Sequence, residues 1–276
     1  MMKIAIIGCG YVGSAIASLW HQQGHEVTVT TTTSEKVPDL QTIASEVAIA
    51  YGNDLNILKQ VIKDKEVILL SIGVKQHTVD GYRQSYLAAA KNLVTAIQET
   101  PTVKQLIYTS SYGILGNKNG EWTDETAPVS PISEPGEILS QTEQVLLFIP
   151  ESKLKVCIFR LTGIYGTGRE LIKIFRSRAG TTRPGNGKDY TNWVHLDDVV
   201  NGIEFARQKQ LSGIYNLNSD EILSTGEFFD RLFTTHNLPP ITWDASQPSL
   251  RPYNLKLDNQ KLKAAGFKLV HPQIIF

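Results

Sequence analysis

The chain is poor in cysteine, carries no net charge and contains no long apolar run, and each shortage removes a class of function. Its two cysteines, Cys9 and Cys157, are too few for a disulfide framework and both lie in apolar stretches, so a reducing cytoplasm is expected. Lys and Arg number 27 and Asp and Glu number 27, for a formal net charge of +0. No global field therefore recruits nucleic acid, an anionic membrane or an acidic polymer, and the expected partner is a small molecule. No apolar run reaches about 18 residues, and the stretch after Met1-Met2-Lys3 is too brief for a signal peptide, so neither a membrane span nor a leader is expected. Internal repeats and low-complexity tracts are absent as well. What remains is a soluble chain of 276 residues, long enough for one large α/β domain with a small appendage.

Apolar β-branched runs alternate with helical patterns. Strands are expected at Lys3-Ile7, Glu26-Thr30, Val47-Ala50, Glu66-Ile72, Lys104-Thr109, Lys155-Leu161 and Gly213-Leu217. The segments between them carry amphipathic helices, roughly Tyr11-Gln22, Leu55-Ile62, Tyr82-Glu99, Glu137-Phe148, Leu171-Arg178, Leu196-Gln208, Thr225-His236 and Asn259-Ala265. That rhythm specifies an α/β fold of Rossmann type, a doubly wound parallel sheet with helices on both faces. A long loop rich in Gly, Asn, Pro and Ser at Gly116-Gly136 is expected to border a site, and the irregular stretch Gly180-Tyr190 with the proline-rich tail Leu238-Pro252 lies beyond the sheet and is expected to form a small cap.

The first strand runs into Gly8-Cys9-Gly10-Tyr11-Val12-Gly13, a G-x-G-x-x-G directly ahead of a helix. In that context Gly8 permits the tight turn, Gly10 lets the backbone approach a pyrophosphate, and Gly13 lets the helix pack closely on the sheet. Without its context the motif would be a plain glycine turn; with strand, helix and second strand in one unit it points to a nicotinamide dinucleotide. The second strand ends in Thr30-Thr31-Thr32-Thr33-Ser34, where NAD-selective sites place an acid on the ribose hydroxyls. With no carboxylate to repel a 2′-phosphate, and with Lys36 close by, the cofactor is NADP or NAD with NADP favoured, although Thr is also an ordinary strand residue. Asp54 and Leu55 after the third strand, Ser71, Ile72 and Gly73 after the fourth, and Ser110 at the fifth complete the expected cofactor contacts. A helix cap is the competing role for Asp54.

Farther along, Tyr108-Thr109-Ser110-Ser111, the loop Thr123-Asp124-Glu125-Thr126-Ala127-Pro128, the stretch from Arg160 to Tyr165-Gly166-Thr167-Gly168-Arg169, and Trp193-Val194-His195-Leu196-Asp197-Asp198-Val199 together resemble the extended short-chain dehydrogenase/reductase superfamily, in its NAD-dependent epimerase/dehydratase group. The resemblance implies a cofactor domain of residues 1–165 plus 190–222 and a substrate-binding region of 166–189 plus 223–276. Two departures stand out. The glycine motif lacks the family's leading Thr-Gly, and the family's Tyr-x-x-x-Lys pair falls on Pro135 and Leu139 when Glu143 is matched to the acid that follows it. None of the ten tyrosines has a Lys four residues later.

In the family the Tyr exchanges a proton with the substrate, the Lys lowers the Tyr pKa, and a Ser orients the oxygen. Only the Ser has a counterpart, Ser111, so the catalytic candidates are Ser111 with Tyr112 and Tyr165 as donors from unconventional places; a packing role competes for both phenols. His195, with Asp197 and Asp198, reads as hydrogen bonding at a helix start. His21 and His25 are separated by Gly24 and have no further ligand, so no metal site is expected. The reading is an NAD(P)-binding oxidoreductase or epimerase-like protein acting on a hydroxyl or carbonyl of a small metabolite, nucleotide-linked or free, with a homodimer allowed. Its rivals are a non-catalytic sensor of NAD(P) redox state and an inactive structural relative.

Overall fold

Parallel strands covered on both faces must be apolar along their whole length, and Val67–Leu70, read Val-Ile-Leu-Leu, is buried at every position. It lies near the centre of a seven-stranded sheet in a computed structural model that describes residues 1–276. The strands are β1 (Lys3–Ile7), β2 (Glu26–Thr31), β3 (Glu46–Ile49), β4 (Val67–Leu70), β5 (Gln105–Ser111), β6 (Lys155–Leu161) and β7 (Gly213–Leu217), in the order β7-β6-β5-β4-β1-β2-β3. Pairing is parallel, with Ile4 opposite Val27 on one side of β1 and Val67 on the other. The order reverses direction at β1, the position at which open α/β sheets bind ligands beyond the strand ends.

The crossover helices include α1 (Tyr11–Gln22), α2 (Leu55–Ile62), α3 (Ala89–Gln98), α4 (Glu134–Leu147) and α5 (Leu196–Lys209). The helical run that leads into α3 starts at Val79, where Thr78 caps it, and opens into a π-turn over Arg83–Ala88. The sequence pattern places that start at Tyr82 and gives no sign of the π-turn. α4 begins three residues ahead of the expected Glu137, because the Ser133 hydroxyl accepts from the Gly136 amide at 3.3 Å and Pro135 sits in the first turn, where its missing N–H costs nothing.

The chain divides into two units. The first comprises residues 1–111, 133–160 and 200–214, and the second 112–132, 161–199 and 215–276. The second is larger than the expected cap. It takes in 112–132 because Leu115 packs with Leu255 and Leu257, and 163–165 because Gly163–Tyr165 pairs with Trp193–His195. The core of the first unit is aliphatic: Ile7, Leu58, Ile62, Ile68, Leu70, Leu93, Leu106 and Ile158 are all essentially inaccessible, each stabilising the fold by roughly 1.5–3 kcal/mol. The second unit has strand pairs of only two or three residues and an aromatic core in which Trp193 stacks on Phe228 at 5.2 Å and Phe175 meets Phe229 edge-on at 5.4 Å. Its helix α6 (Thr225–Thr235) opens with a capping box between Ser224 and Glu227.

Candidate cofactor-binding site

The β1–α1 turn is built by its glycines in three different ways. Gly8 has φ +94°, and a Cβ there would lie 2.6 Å from the Ser71 carbonyl oxygen. At Gly13 a Cβ would lie 2.5 Å from the Gly8 oxygen, so the first turn of α1 closes against the loop only without a side chain. Gly10, the residue ahead of α1, is the opposite case: a Cβ there would meet nothing within 4 Å. The space it leaves open is where a pyrophosphate would approach the first amides of α1. The loop is tied to β2, since the Gly8 amide donates to the Thr30 hydroxyl at 2.9 Å and the Cys9 amide to the Thr30 carbonyl at 2.8 Å. Burial raises the Cys9 thiol pKa, leaving it a packing residue and not a nucleophile.

This loop forms one wall of a cavity of about 430 Å³. Gly8, Cys9 and Gly10 line it together with Thr30 to Thr33, Ala50 to Asn53, and Ser71 to Lys75. Gln84 and Ser85, from the π-turn, close another side. No carboxylate lines the cavity, whereas Lys36 and Lys75 do. The Lys75 ammonium donates to the Thr32 carbonyl at 3.2 Å, and the Thr31 hydroxyl accepts from the Thr33 amide at 3.1 Å. Apolar walls from Ile7, Ile72 and Val74, an open glycine and a cationic corner suit a dinucleotide: ring systems between apolar groups, phosphates on amides and lysines.

Of the residues expected from sequence, Gly8, Cys9, Gly10, Thr31, Thr32, Ser71, Ile72 and Gly73 come together here. Tyr11, Val12 and Gly13 form the first turn of α1 behind the loop. Asp54 and Leu55 stand apart from the lining: the Asp54 carboxylate accepts from the Ile57 amide at 3.0 Å, the helix-cap role that competed from the start, and Leu55 is the first residue of α2. Ser110 corrects its expectation too. Its hydroxyl turns inward and donates to Glu143 at 2.6 Å, where Arg160 grips the same carboxylate at 2.9 Å and keeps Nη1 buried without a partner. Lys75, Tyr51, Gln84 and Ser85 escaped the sequence reading. Their only sign is position, just past a strand end or within a helix, and in sequence they look like ordinary surface residues.

The catalytic candidates have different surroundings. Ser111 ends β5, half-buried. Tyr112 packs with Leu115, Leu255 and Leu257 and meets Tyr253 edge-on at 5.2 Å; burial raises its phenol pKa well above the ordinary value. Tyr165 is 2% exposed, its ring edge-on to His195 at 5.1 Å, and its oxygen accepts from the Ile275 amide at 3.0 Å. Burial again raises its pKa. Both phenols sit as packing residues. The Asp197 amide donates to His195 Nδ1 at 3.2 Å, in keeping with a helix-start role, but Asp198 accepts instead from the Val270 and His271 amides at 2.6 and 3.0 Å.

Comparison with known proteins agrees with this geometry. A model of the NAD dependent epimerase/dehydratase family matches residues 4–217. Protein YeeZ of Escherichia coli (strain K12) is 27% identical over 253 residues, covering 87% of this chain and 86% of that protein. The solved UDP-glucose 4-epimerase of Thermotoga maritima with UDP-glucose superposes with a TM-score of 0.81 at 21% identity, covering 98% of this chain and 94% of that one. UDP-glucose-4-epimerase from Stenotrophomonas maltophila, with bound NAD and formylated UDP-arabinopyranose, gives 0.80 at 18% identity over 98% of this chain and 94% of that one. At these identities the structural likeness speaks for the fold alone.

Proposed function

This chain belongs to the NAD-dependent epimerase/dehydratase family, and from that premise we propose that it is an NAD(P)-dependent oxidoreductase or epimerase-like enzyme acting on a hydroxyl or carbonyl carbon of a small, nucleotide-linked metabolite. The cofactor, when bound, supplies hydride exchange. The residues that hold it are the Gly8–Gly10 loop, Thr31 and Thr32, Ser71 to Gly73, and the lysines 36 and 75. One observation carries the reading: a cavity whose lining opens at Gly10, includes Lys36 and Lys75 and holds no carboxylate. The two lysines of that lining support NADP(H) over NAD(H), since a 2′-phosphate there meets cations and no lining acid. Ser111, at the end of β5, is the group to which we assign the orienting of a carbonyl oxygen, on its match to the family serine.

A second reading, a sensor that binds NAD(P) without turnover, is favoured by the buried state of Tyr112 and Tyr165 and by Pro135 at the place of the family Tyr. General acid–base help is worth about 10²–10⁴ in rate, so turnover without it is expected to be slow. Fluorescence titration tests binding: NADPH binds at least as tightly as NADH, Gly10→Val abolishes both, and Lys36→Ala with Lys75→Ala weakens NADPH selectively. Unchanged binding by Gly10→Val sinks the site. Steady NADPH consumption with nucleotide-sugar ketones, lowered by Ser111→Ala, decides for the enzyme over the sensor.

A further inference from the structure

His195, Asp197 and His271 converge in the second unit at a place no part of the cofactor site uses. The Asp197 carboxylate oxygen Oδ2 lies 3.4 Å from His195 Nδ1 and 3.1 Å from His271 Nε2. One ligand atom from each residue falls within 4.8 Å of the other two. The imidazole centroids are 4.0 Å apart at an interplanar angle of 55°. A tetrahedral cation that holds imidazole nitrogen and carboxylate oxygen at about 2.0–2.2 Å sets its ligand atoms about 3.2–3.6 Å apart. The 3.4 Å separation already has that length, and the 3.1 Å one is just short of it.

The orientation of His195 is fixed. A Cβ on Gly166 would come within 3.0 Å of Nε2, so that nitrogen lies against backbone and Nδ1 is the one turned to Asp197. Tyr165 supports the ring edge-on. Asp197 is 59% exposed on its side chain and His271 21%, so an ion can reach the cluster and keep water in a remaining position. His271 itself is held in place from behind, because its amide and that of Val270 donate to the buried Asp198. The competing account is hydrogen bonding alone: His271 to Asp197, and the Asp197 amide to His195 Nδ1 at 3.2 Å. A metal would replace that long, weak bond with coordination.

We propose that His195, Asp197 and His271 form a binding site for a divalent cation of the zinc class, one that fastens the C-terminal segment to the start of α5. Two neutral imidazoles and one carboxylate are the donor set such ions select over calcium or magnesium, which take oxygen ligands. Sequence inspection could not pair them, since His271 lies 74 positions from Asp197.

The test uses the tag-free full chain, stripped with a chelator and titrated with ZnCl₂ by calorimetry and with CoCl₂ by visible absorption. The expected result is one ion per chain, a tetrahedral Co(II) spectrum, and a melting temperature that rises with zinc. Asp197→Asn and His271→Gln should each weaken zinc at least tenfold and abolish the spectrum and the thermal shift, while His21→Gln changes nothing. Far-UV circular dichroism confirms that the variants remain folded. The proposal is overturned if the wild type binds no ion, or if Asp197→Asn and His271→Gln bind as tightly as the wild type, which would place the ion on other histidines.

Discussion

The two units solve the same problem, satisfying buried polar groups, with different side chains. In the first unit buried charged residues join helices to the sheet or to each other: Arg160 on β6 grips Glu143 on α4, and Glu204 on α5 takes hydrogen bonds from Trp20, Arg207 and Gln208. In the second, four buried asparagines bond to backbone. Asn192 donates to the Leu255 carbonyl and accepts from the Leu257 amide, Asn216 donates to Asp258, Asn218 to Leu257, and Asn259 to Asn218. The reason lies in strand length. The long parallel strands of the first unit satisfy their own backbone, whereas pairs of two or three residues leave groups over; Asn192 meets one donor and one acceptor, while the Asn216 and Asn218 side chains supply only donors.

The largest expected effect tests the charged side of this contrast. Arg160→Ala leaves Glu143 charged and buried with only the Ser110 hydroxyl to satisfy it, which should cost about 3–5 kcal/mol in urea unfolding. Replacing both partners by apolar residues of similar volume should recover much of that loss. If Arg160→Ala costs less than about 1 kcal/mol, the network is not what joins α4 to the sheet.

Asn192→Ala is the matching test in the second unit. It removes two bonds of 2.9 Å at a side chain that is almost wholly buried and leaves a carbonyl and an amide unpaired, so about 2–4 kcal/mol is expected. Asn192→Asp should do little better, since a carboxylate has no hydrogen to give the Leu255 carbonyl. Equal stability of the Asp variant and the wild type would show that the amide acts by filling space.

A third comparison lies within the glycine loop. Gly13→Ala forces a Cβ to 2.5 Å from the Gly8 oxygen and should cost about 1–3 kcal/mol, whereas Gly10→Ala, at φ −92° with open space, should leave the midpoint within about 0.5 kcal/mol. Dinucleotide binding should respond in the reverse sense, falling more per unit of stability lost at Gly10. Equal thermal loss at both positions would contradict the geometry.

The first unit was legible because its information is local. A strand's burial follows from its own β-branched run, a glycine loop is read within six residues, and the helices announce themselves by periodicity, which is why the seven strands and α1, α2 and α5 fall where the pattern puts them, give or take a residue or two at the ends. Asp54 was ambiguous for the same reason: a short acid ahead of a helix is a cap by local logic and a ligand only by family logic. The second unit is held by contacts across 63 and 65 positions, as between Asn192 and Leu255 or Leu257, and nothing in a run of two strand residues marks its partner. Separation along the chain likewise hid Lys75 from the threonine end of β2 and His271 from His195. Ser110 misled because the residue beside a family serine inherits its motif but not its direction: alternate strand residues face opposite ways, and this one turns to Glu143.

The smallest effect expected concerns pH. Burial by itself would push the Glu204 pKa up, but hydrogen bonds from Arg207, Trp20 and Gln208, all between 2.6 and 2.7 Å, outweigh it and hold the carboxyl below its ordinary value. The folded pKa is thus lower than the unfolded one, which is about 4.3. The stability this supplies is fully present above the unfolded value and is lost as pH falls through the folded one. Glu204→Gln keeps a polar group in the pocket but cannot be titrated, and its amide nitrogen faces donors only. At pH 6 it should be less stable than the wild type by about 1–2 kcal/mol, and the gap should narrow as the pH is lowered to 3.5, because the wild type alone loses this contribution. Urea midpoints at the two pH values measure the difference directly, with every other carboxylate common to both proteins. A gap that stays constant with pH would mean that Glu204 holds α1 and α5 by shape and neutral hydrogen bonding, and the contrast between a charged first unit and an amide-bonded second would rest on Arg160 and Glu143 alone.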